Sequence, residues 1–220
     1  MRLFAYFRSS TSYRVRIALA LKGLDYELVP VNLRTSEQKA PEFLAHNAFG
    51  GVPVLEAAGR ERAQSLAIID WLDEAYPEPP FLPANLEDRF TVRECAYAVA
   101  TEIHALNNLQ VLKHLRETMG HTEADTDDWY RLWLARTLDP LETRLAQLGS
   151  GDFLVGDAPG LFEIVLIPQL YNARKLGFDL SPHPHLTRIE AACLALPAFM
   201  KAHPDNQPDS PDFKGAETST

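Results

Sequence analysis

Residues 77–85 read PEPPFLPAN and divide the chain into two parts of different character. Four prolines fall within seven residues here, and proline lacks the N–H that a helix interior or a central strand requires. Before this stretch short β-like runs alternate with helical ones, whereas strand patterns are essentially absent after it. The sequence therefore predicts a small α/β domain over residues 1–80 and an all-helical domain over residues 86–203, joined by a proline-rich linker.

The first part has the predicted order β-α-β, a connector, then β-β-α. The helical segments are TSYRVRIALALKG, closed by Gly23, and SLAIIDWLDEAYP, for which Ser65 is the predicted N-cap. A short helix is expected near 40–46, and Gly59 predicts a turn toward a short fourth strand. The other three predicted strands are LFAYF (3–7), ELVPVNL (27–33) and GVPVLEA (51–57).

The second part reads as a succession of amphipathic helices. One long helix is predicted from 86 to 119, and a proline at 168 is expected to break another helix near its start. The tail, residues 204–220, is rich in proline, aspartate and threonine and is predicted to be poorly ordered. The remaining predicted helices cover residues 127–148, 162–177 and 186–196.

Composition excludes several classes of function. A net charge of −9 over 220 residues argues against a nucleic-acid-binding protein, and the absence of a long apolar run argues against a membrane span. The N-terminus lacks the features of a signal peptide, and the two cysteines have no partner motif, so we expect free thiols and a cytoplasmic location. No metal site is expected, since His183 and His185 have no accompanying ligand set.

The candidate chemistry lies in RSSTS (8–12), a run of hydroxyl residues directly before the first predicted helix. The simplest interpretation is that one of them is an N-cap, which needs no function. The functional interpretation is that a helix N-terminus and a serine hydroxyl together stabilise a thiolate, because free N–H groups and the helix dipole favour an anion. Both interpretations stay open at this point.

The stretch YFRSSTSYRVRIALALKGLDYE resembles the signature of zeta-class glutathione transferases, the maleylacetoacetate and maleylpyruvate isomerases, whose usual pattern is S-S-C-x-x-R-V-R-I-A-L. The likeness continues through NAFGGVPVLE, QSLAIIDWLDEAYP, EIHALNNLQVLKHL, IPQLYNARKLGFDLSPHP and HPDNQPDSP, which covers nearly the whole chain. The resemblance implies a thioredoxin-like N-terminal domain, an all-α C-terminal domain, glutathione as cofactor and a homodimer.

The resemblance also implies a set of glutathione contacts in the first domain. Ser9 would face the glutathione sulfur, with Ser10 and Thr11 beside it, and Thr11 stands where many members have cysteine. Val52 would be a backbone ligand before a cis Pro53. The γ-glutamyl end would be bound by Gln64 and Ser65, with a polar contact from Gln38.

In the second domain EIHALNNLQ (102–110) places polar residues within an apolar helix, which suggests a wet cleft face. Helical spacing puts His104 and Asn108 on one side, and the resemblance suggests that these two and Gln110 contact glutathione or substrate. Relatives often carry arginine at Gln110. Arg8 and Arg174 are the candidates for gripping a substrate with two carboxylates, since guanidinium binds carboxylate in bidentate fashion.

The resemblance implies glutathione-dependent cis–trans isomerisation of a maleyl keto acid, in which thiolate addition permits rotation about the double bond before elimination. The substrate would be maleylacetoacetate. The alternatives are maleylpyruvate isomerisation, and conjugation or dehalogenation of small α-haloacids by the same thiolate. An alternative from a different class of function is a non-catalytic ligand-binding protein, which the retained hydroxyl and Gln-Ser pair disfavour.

Overall fold

A computed structural model describes residues 1–213 of the chain. Two compact units are present: Met1–Pro80 together with the C-terminal segment from Leu194, and Phe81–Cys193. The sequence predicts that the helical domain continues to residue 203, whereas the structure places the chain from Leu194 onward in the first unit.

The first unit contains helices and a four-stranded sheet of β1 (Arg2–Ala5), β2 (Glu27–Pro30), β3 (Val54–Ala57) and β4 (Arg60–Ala63), in the order β2-β1-β3-β4. The strand β1 pairs in parallel with β2, as a helical crossover between them permits, and antiparallel with β3. The β3–β4 connection is a two-residue turn at Ala58 and Gly59, both with positive φ, which suits a tight hairpin. Its first three helices are α1 (Ser10–Leu21), α2 (Pro41–His46) and α3 (Ser65–Ala75).

The sheet is buried on both faces. Phe4 and Val54 pack with Phe43 of α2 in one cluster. Because successive side chains of a strand alternate, Leu3 and Leu55 point to the opposite face, and both are fully buried. This two-sided burial fixes the register of β1, and with it the position at which the chain leaves the sheet toward α1.

The C-terminal segment is ordered and packs on the first unit, contrary to the sequence prediction for residues 204–213. It contains α10 (Pro197–Ala202) and a single 3₁₀ turn, Pro204–Asn206. The Phe7 N–H donates to Asp209 at 2.8 Å, and Arg16 Nε donates to the Ala202 carbonyl at 2.9 Å. Specific hydrogen bonds thus order a composition that usually predicts disorder. The rest of the predicted tail, residues 214–220, lies outside the described part.

The second unit is helical throughout its described elements. Its helices are α4 (Leu86–Tyr97), α5 (Ala105–Asn107), α6 (Leu109–Glu117), α7 (Glu123–Leu148), α8 (Leu161–Lys175) and α9 (Pro184–Leu194), and π-helical turns fill Ala98–His104.

The single helix predicted over 86–119 is interrupted at Asn108. Its backbone is extended, with ψ of 160°, and its side chain accepts the N–H groups of Gln110 and Val111. Asparagine competes with helix continuation in this way because its side chain can replace a backbone acceptor. Asn108 is therefore the N-cap of α6 and not a residue within a continuous helix.

The predicted break at Pro168 does not occur, since α8 is continuous across it. A proline in a helix removes one hydrogen bond, and here Ile164 to Leu170 are all buried, so packing maintains the helix. Its N-terminus is secured by the buried Glu163 carboxylate, which accepts the N–H groups of Leu154 and Gly160, both at 2.8 Å. Burial raises the pKa of Glu163, although these hydrogen bonds oppose the shift.

Candidate active site

Ser9 is the residue directly before α1 and caps its N-terminus. Its backbone is extended, and its Oγ accepts the Ser12 N–H at 3.2 Å. The first turn of α1 contains no acidic side chain, so its positive dipole end has no internal counter-charge. The structure thus confirms the capping interpretation, and it leaves at this terminus the electrostatic environment that an anion prefers.

Thr11 connects Ser9 to the loop before β3. The Thr11 hydroxyl donates to the Val52 carbonyl at 2.9 Å, and the Ser9 and Thr11 hydroxyl oxygens are also 2.9 Å apart. The Val52–Pro53 peptide bond is cis. Ser10 is buried beside them. The structure therefore brings Ser9, Ser10, Thr11, Val52 and Pro53 together.

Gln64 and Ser65 lie at the start of α3, with a different division of roles from the one predicted. Gln64 is the N-cap residue and has a positive φ of 70°, while Ser65 is the first helical residue. The Ser65 Oγ accepts from Arg14 Nη1 at 3.5 Å and caps nothing. The prediction of Ser65 as N-cap is wrong because its hydroxyl faces a buried guanidinium. An exposed Gln64 and a buried Ser65 thus border a second helix N-terminus.

Gln38 is buried in the 3₁₀ turn Glu37–Lys39. Within the described residues its side-chain Oε1 has no hydrogen-bond partner. A buried acceptor without a donor is costly, so the site suits a ligand that brings an N–H group. Close by, Gly50 has no room for a side chain, since a Cβ would lie 3.0 Å from the Gln38 carbonyl. The free acceptor fits a peptide-like ligand such as glutathione.

Arg8 is exposed and precedes Ser9 directly. None of the ion pairs found among residues 1–213 includes it. An exposed guanidinium with no carboxylate partner keeps its bidentate face for an incoming anion. Arg8 therefore remains a candidate for binding a substrate carboxylate, which is the role that the sequence suggested.

In the second unit, the polar candidate residues are not arranged as their helical spacing predicts. His104 ends the π-helical turns, whereas Asn108 lies beyond them on non-helical backbone, so the two do not share a helix face. The Asn108 amide also donates to the Ala105 carbonyl at 2.8 Å, which commits both ends of its side chain to the backbone. Gln110 is exposed in the first turn of α6. The side chain of Asn108 therefore serves to cap α6.

Asn107 is a residue that the sequence reasoning did not select. It is 6% exposed, and neither its amide nitrogen nor its carbonyl oxygen has a partner among the described residues. The two adjacent asparagines were the only available signal, and nothing in their spacing distinguishes the cap from the buried one. Asn107 is the better candidate for a polar group held ready for a ligand.

Arg174 is engaged within its own unit. Its Nε lies 2.9 and 3.1 Å from the two Glu190 oxygens, and its Nη2 also donates to Glu190. The hydrogen bonds to Glu190 raise the pKa of Arg174. The guanidinium fork predicted to bind substrate is thus already occupied by a carboxylate, and Nη1 is the nitrogen left outside this pair. The next residue, Lys175, is an exposed cation for which no carboxylate is found within ion-pair distance in the described part.

Both cysteines are poor nucleophiles. Burial raises the pKa of the Cys95 thiol to about 11 and raises that of Cys193 as well. Thiolates are the reactive form, so neither side chain supplies one at neutral pH.

The described residues contain no cluster of three or more His, Cys, Asp or Glu suited to a metal ion. Among these same residues, none of the helices has the length and apolarity that a bilayer crossing requires.

Comparison with known proteins gives a consistent result over nearly the whole chain. Residues 8–75 match the family described as "Glutathione S-transferase, N-terminal domain". A maleylacetoacetate isomerase of Pseudomonas aeruginosa is 43% identical over 214 residues, which are 96% of this chain and 99% of that protein.

Two solved structures extend the likeness to the fold. A holo maleylpyruvate isomerase, described as a bacterial zeta-class glutathione S-transferase, has a TM-score of 0.93 and 41% identity over 96% of this chain and 100% of that one. A maleylacetoacetate isomerase from Anaeromyxobacter dehalogenans, with glutathione bound in its active site, has a TM-score of 0.85 and 46% identity over 96% and 97% of the two chains. The capped α1 terminus, the cis-proline loop and these similarities together show that the chain belongs to the zeta-class glutathione transferases, the family of the maleylacetoacetate and maleylpyruvate isomerases.

Proposed function

We propose that this enzyme catalyses the glutathione-dependent cis–trans isomerisation of a maleyl keto acid, converting maleylacetoacetate to fumarylacetoacetate. The observation that carries the proposal is the hydroxyl pair Ser9 and Thr11 at the N-terminus of α1, joined to the cis-proline loop through Val52. It occurs in a chain that is 43% identical to a maleylacetoacetate isomerase. The substrate class follows from the relatives, and the residues supply the chemistry.

Glutathione is the cofactor, and when bound it supplies the thiolate that adds to the activated double bond and leaves again after rotation. Val52 binds its cysteinyl unit through the backbone. Gln64 and Ser65 bind the γ-glutamyl carboxylate at the N-terminus of α3, where the helix dipole favours an anion. Gln38 accepts an N–H group with its free Oε1. Ser10 and Thr11 complete the hydroxyl wall beside the sulfur.

Ser9 holds the sulfur in its ionised form. A hydroxyl proton directed at the sulfur and the unopposed dipole of α1 both favour the anion, and each lowers the thiol pKa from about 8.5 toward neutrality. The protein thiols cannot do this work, because both are buried with raised pKa. Ser9 is therefore the catalytic residue in this proposal.

The substrate carboxylates need cations. Arg8 offers a complete guanidinium, and Arg174 offers Nη1 beside its ion pair with Glu190. Exposed Lys175 adds a point charge on the same helix. His104, Asn108 and Gln110 are proposed as further polar contacts. Glutamine at position 110 supplies neutral hydrogen bonding where relatives often carry arginine, which reduces the total positive charge offered to an acidic substrate.

Maleylpyruvate is the second candidate substrate. It is favoured by the TM-score of 0.93 to a maleylpyruvate isomerase, the same fold at 41% identity. The two substrates share the maleyl group and differ in the keto-acid part. The choice between them rests on contacts to that part and not on Ser9.

We further propose a homodimer and a cytoplasmic location. The family is generally dimeric, and free buried cysteines persist in a reducing compartment where glutathione is abundant. Sedimentation is expected to give a species of about twice the chain mass of 24.6 kDa. A species at the chain mass alone would remove the dimer.

The test of the function is an assay of purified protein with maleylacetoacetate, maleylpyruvate and chloroacetate, each with and without glutathione. We expect turnover of a maleyl acid only when glutathione is present. Turnover of chloroacetate alone would assign the enzyme to haloacid chemistry. Failure of glutathione to raise the melting temperature would indicate a non-catalytic protein that kept the fold.

A further inference from the structure

The hydroxyl protons of Ser9 and Thr11 can be assigned by elimination. The Val52 carbonyl has no hydrogen, so the 2.9 Å contact from Thr11 uses the single Thr11 proton. Thr11 can then only accept across the 2.9 Å contact with Ser9. The Ser9 Oγ already accepts the Ser12 N–H at 3.2 Å. In this arrangement the one proton of Ser9 points at Thr11.

That assignment conflicts with the role given to Ser9 in the proposed function. A hydroxyl that stabilises a thiolate must direct its proton at the sulfur, and Ser9 has only one proton to direct. Its proton must therefore leave Thr11 before it can reach a sulfur. Val52 is also the residue proposed to bind the cysteinyl unit through its backbone, so the ligand binds beside the carbonyl that accepts from Thr11.

We propose that Thr11 is a positioning residue whose hydroxyl turns from the Val52 carbonyl to Ser9 Oγ when glutathione binds, and so directs the Ser9 proton to the sulfur. This inference rests on the proposed function. Ser9 Oγ then accepts from both Thr11 and the Ser12 N–H and donates to the sulfur. Both hydroxyls keep their protons, no bond to carbon changes, and the proton of the thiol passes to water.

Two features of the chain support the assignment. Thr11 is half-buried, which limits competition from water for its hydroxyl, and it reaches from α1 to the cis-proline loop, the two segments proposed to hold the cysteinyl unit. A threonine hydroxyl is a stronger hydrogen-bond donor than a thiol, so Thr11 supports Ser9 better than a cysteine at this position would.

The experiment is an ultraviolet titration of thiolate in bound glutathione, together with calorimetry of S-methylglutathione, which has no ionisable thiol. We expect Thr11→Val to raise the pKa of bound glutathione by about 0.5 to 1, as the loss of one hydrogen bond to Ser9 implies. Affinity for S-methylglutathione should change less than threefold. Thr11→Ser should restore the wild-type titration, and Thr11→Cys should lie between.

The matched control is Thr143→Val. Thr143 lies on α7, and its hydroxyl donates to the Asp139 carbonyl at 3.2 Å, so the same atoms are removed away from the site. A purely structural role for Thr11 would weaken S-methylglutathione binding and lower the melting temperature without moving the titration. That result would overturn the proposal, as would a failure of Thr11→Ser to restore the curve. If Thr11→Val does not fold, the Thr11→Cys titration decides, and a curve identical to wild type contradicts the proposal.

The outcome separates this inference from the proposed function. The titration requires glutathione alone and no maleyl substrate. Absence of binding, or an unshifted pKa of bound glutathione in the wild type, would defeat the proposed function itself. A lowered pKa in the wild type that Thr11→Val leaves unchanged would defeat only the role of Thr11.

Discussion

Ser9 can cap α1 and bind a thiolate at the same time, because the two roles use different parts of one hydroxyl. Its oxygen accepts the Ser12 N–H, and its proton is directed at a second acceptor, which is Thr11 in this structure and the sulfur in the proposed glutathione complex. A choice between cap and catalyst is therefore unnecessary.

We expect Ser9→Ala to lower kcat at neutral pH about tenfold or more, because the pKa of bound glutathione rises and less thiolate forms. The deficit should shrink as pH rises past the ordinary thiol pKa of about 8.5, where the thiol ionises without help. Loss of the cap should also cost about 1 kcal/mol of folding free energy. Thiolate titration and the pH–rate profile measure this together.

Ser12→Ala is the control, since Ser12 is buried one turn further along and its hydroxyl accepts the Tyr6 N–H. It should reduce stability without moving the titration. Superimposable titrations of wild type and Ser9→Ala would assign Ser9 to the cap alone and leave the thiolate to the backbone N–H groups.

At the site, the sequence predicts what depends on neighbouring residues but not what depends on residues distant in the chain. A run of hydroxyls before a helical segment predicts a cap and an anion site, and Ser9 lies there. The sequence shows that Arg174 is a cation, but its pairing with Glu190 depends on how α8 packs on α9, sixteen residues later. Likewise, which asparagine of the pair caps α6 is set by where the backbone turns, which spacing does not reveal.

At the scale of elements, Glu142 holds α9 in place from α7. Its carboxylate accepts the N–H groups of His185 and Leu186 at 2.8 and 3.0 Å and also contacts the His185 ring. Burial raises the pKa of Glu142, but these hydrogen bonds outweigh burial and lower it overall. The first turn of α9 thus has an N-cap supplied by another helix.

We expect Glu142→Gln to destabilise the protein by about 1 to 2 kcal/mol at pH 7. A lowered carboxyl pKa stabilises the fold above the unfolded value of about 4.3, and that stability is lost as pH falls through the lower folded value. The deficit of the variant should therefore shrink below about pH 4. Urea unfolding at several pH values measures it.

The control is Glu94→Gln, which breaks an exposed ion pair with Arg144 and should cost less than about 1 kcal/mol. A deficit of Glu142→Gln that does not depend on pH would contradict the assignment of a charged cap.

The sequence predicts where the helices lie, but it does not predict where they are interrupted. Apolar periodicity runs across Asn108 without a sign of the break, because a cap is made by backbone geometry that periodicity does not encode. Pro168 gave the opposite error. Proline predicts a break from its own chemistry, whereas the burial of α8 depends on neighbours that are distant in sequence.

At the scale of the whole molecule, the C-terminal segment belongs to the first unit. Gln207 is buried and donates to the carbonyls of Lys201 and His203, both at 2.9 Å, and Asp209 accepts the Phe7 N–H just before Arg8 and Ser9. The proline-rich boundary at 77–85 was readable from sequence, since proline acts locally. The return of the chain after Cys193 was not, because it depends on specific long-range hydrogen bonds.

Removing residues 204–220 should lower Tm by about 5 °C or more, because the Phe7 N–H loses a charged acceptor and the buried side chain of Gln207 is removed. Removing only residues 214–220 is the matched control, so the difference in Tm between the two truncated chains belongs to residues 204–213. Calorimetry of the two truncated chains measures the difference. Equal Tm values would show that the segment contributes nothing to the first unit.

In isomerisation glutathione acts as a cofactor and is regenerated, whereas conjugation consumes it. The most direct measurement is the number of maleylacetoacetate molecules converted to fumarylacetoacetate for each glutathione lost, with substrate in large excess over glutathione. We expect complete conversion with the free thiol content unchanged at the end. Loss of one glutathione thiol for each substrate converted, or conversion at the same rate without glutathione, would contradict it.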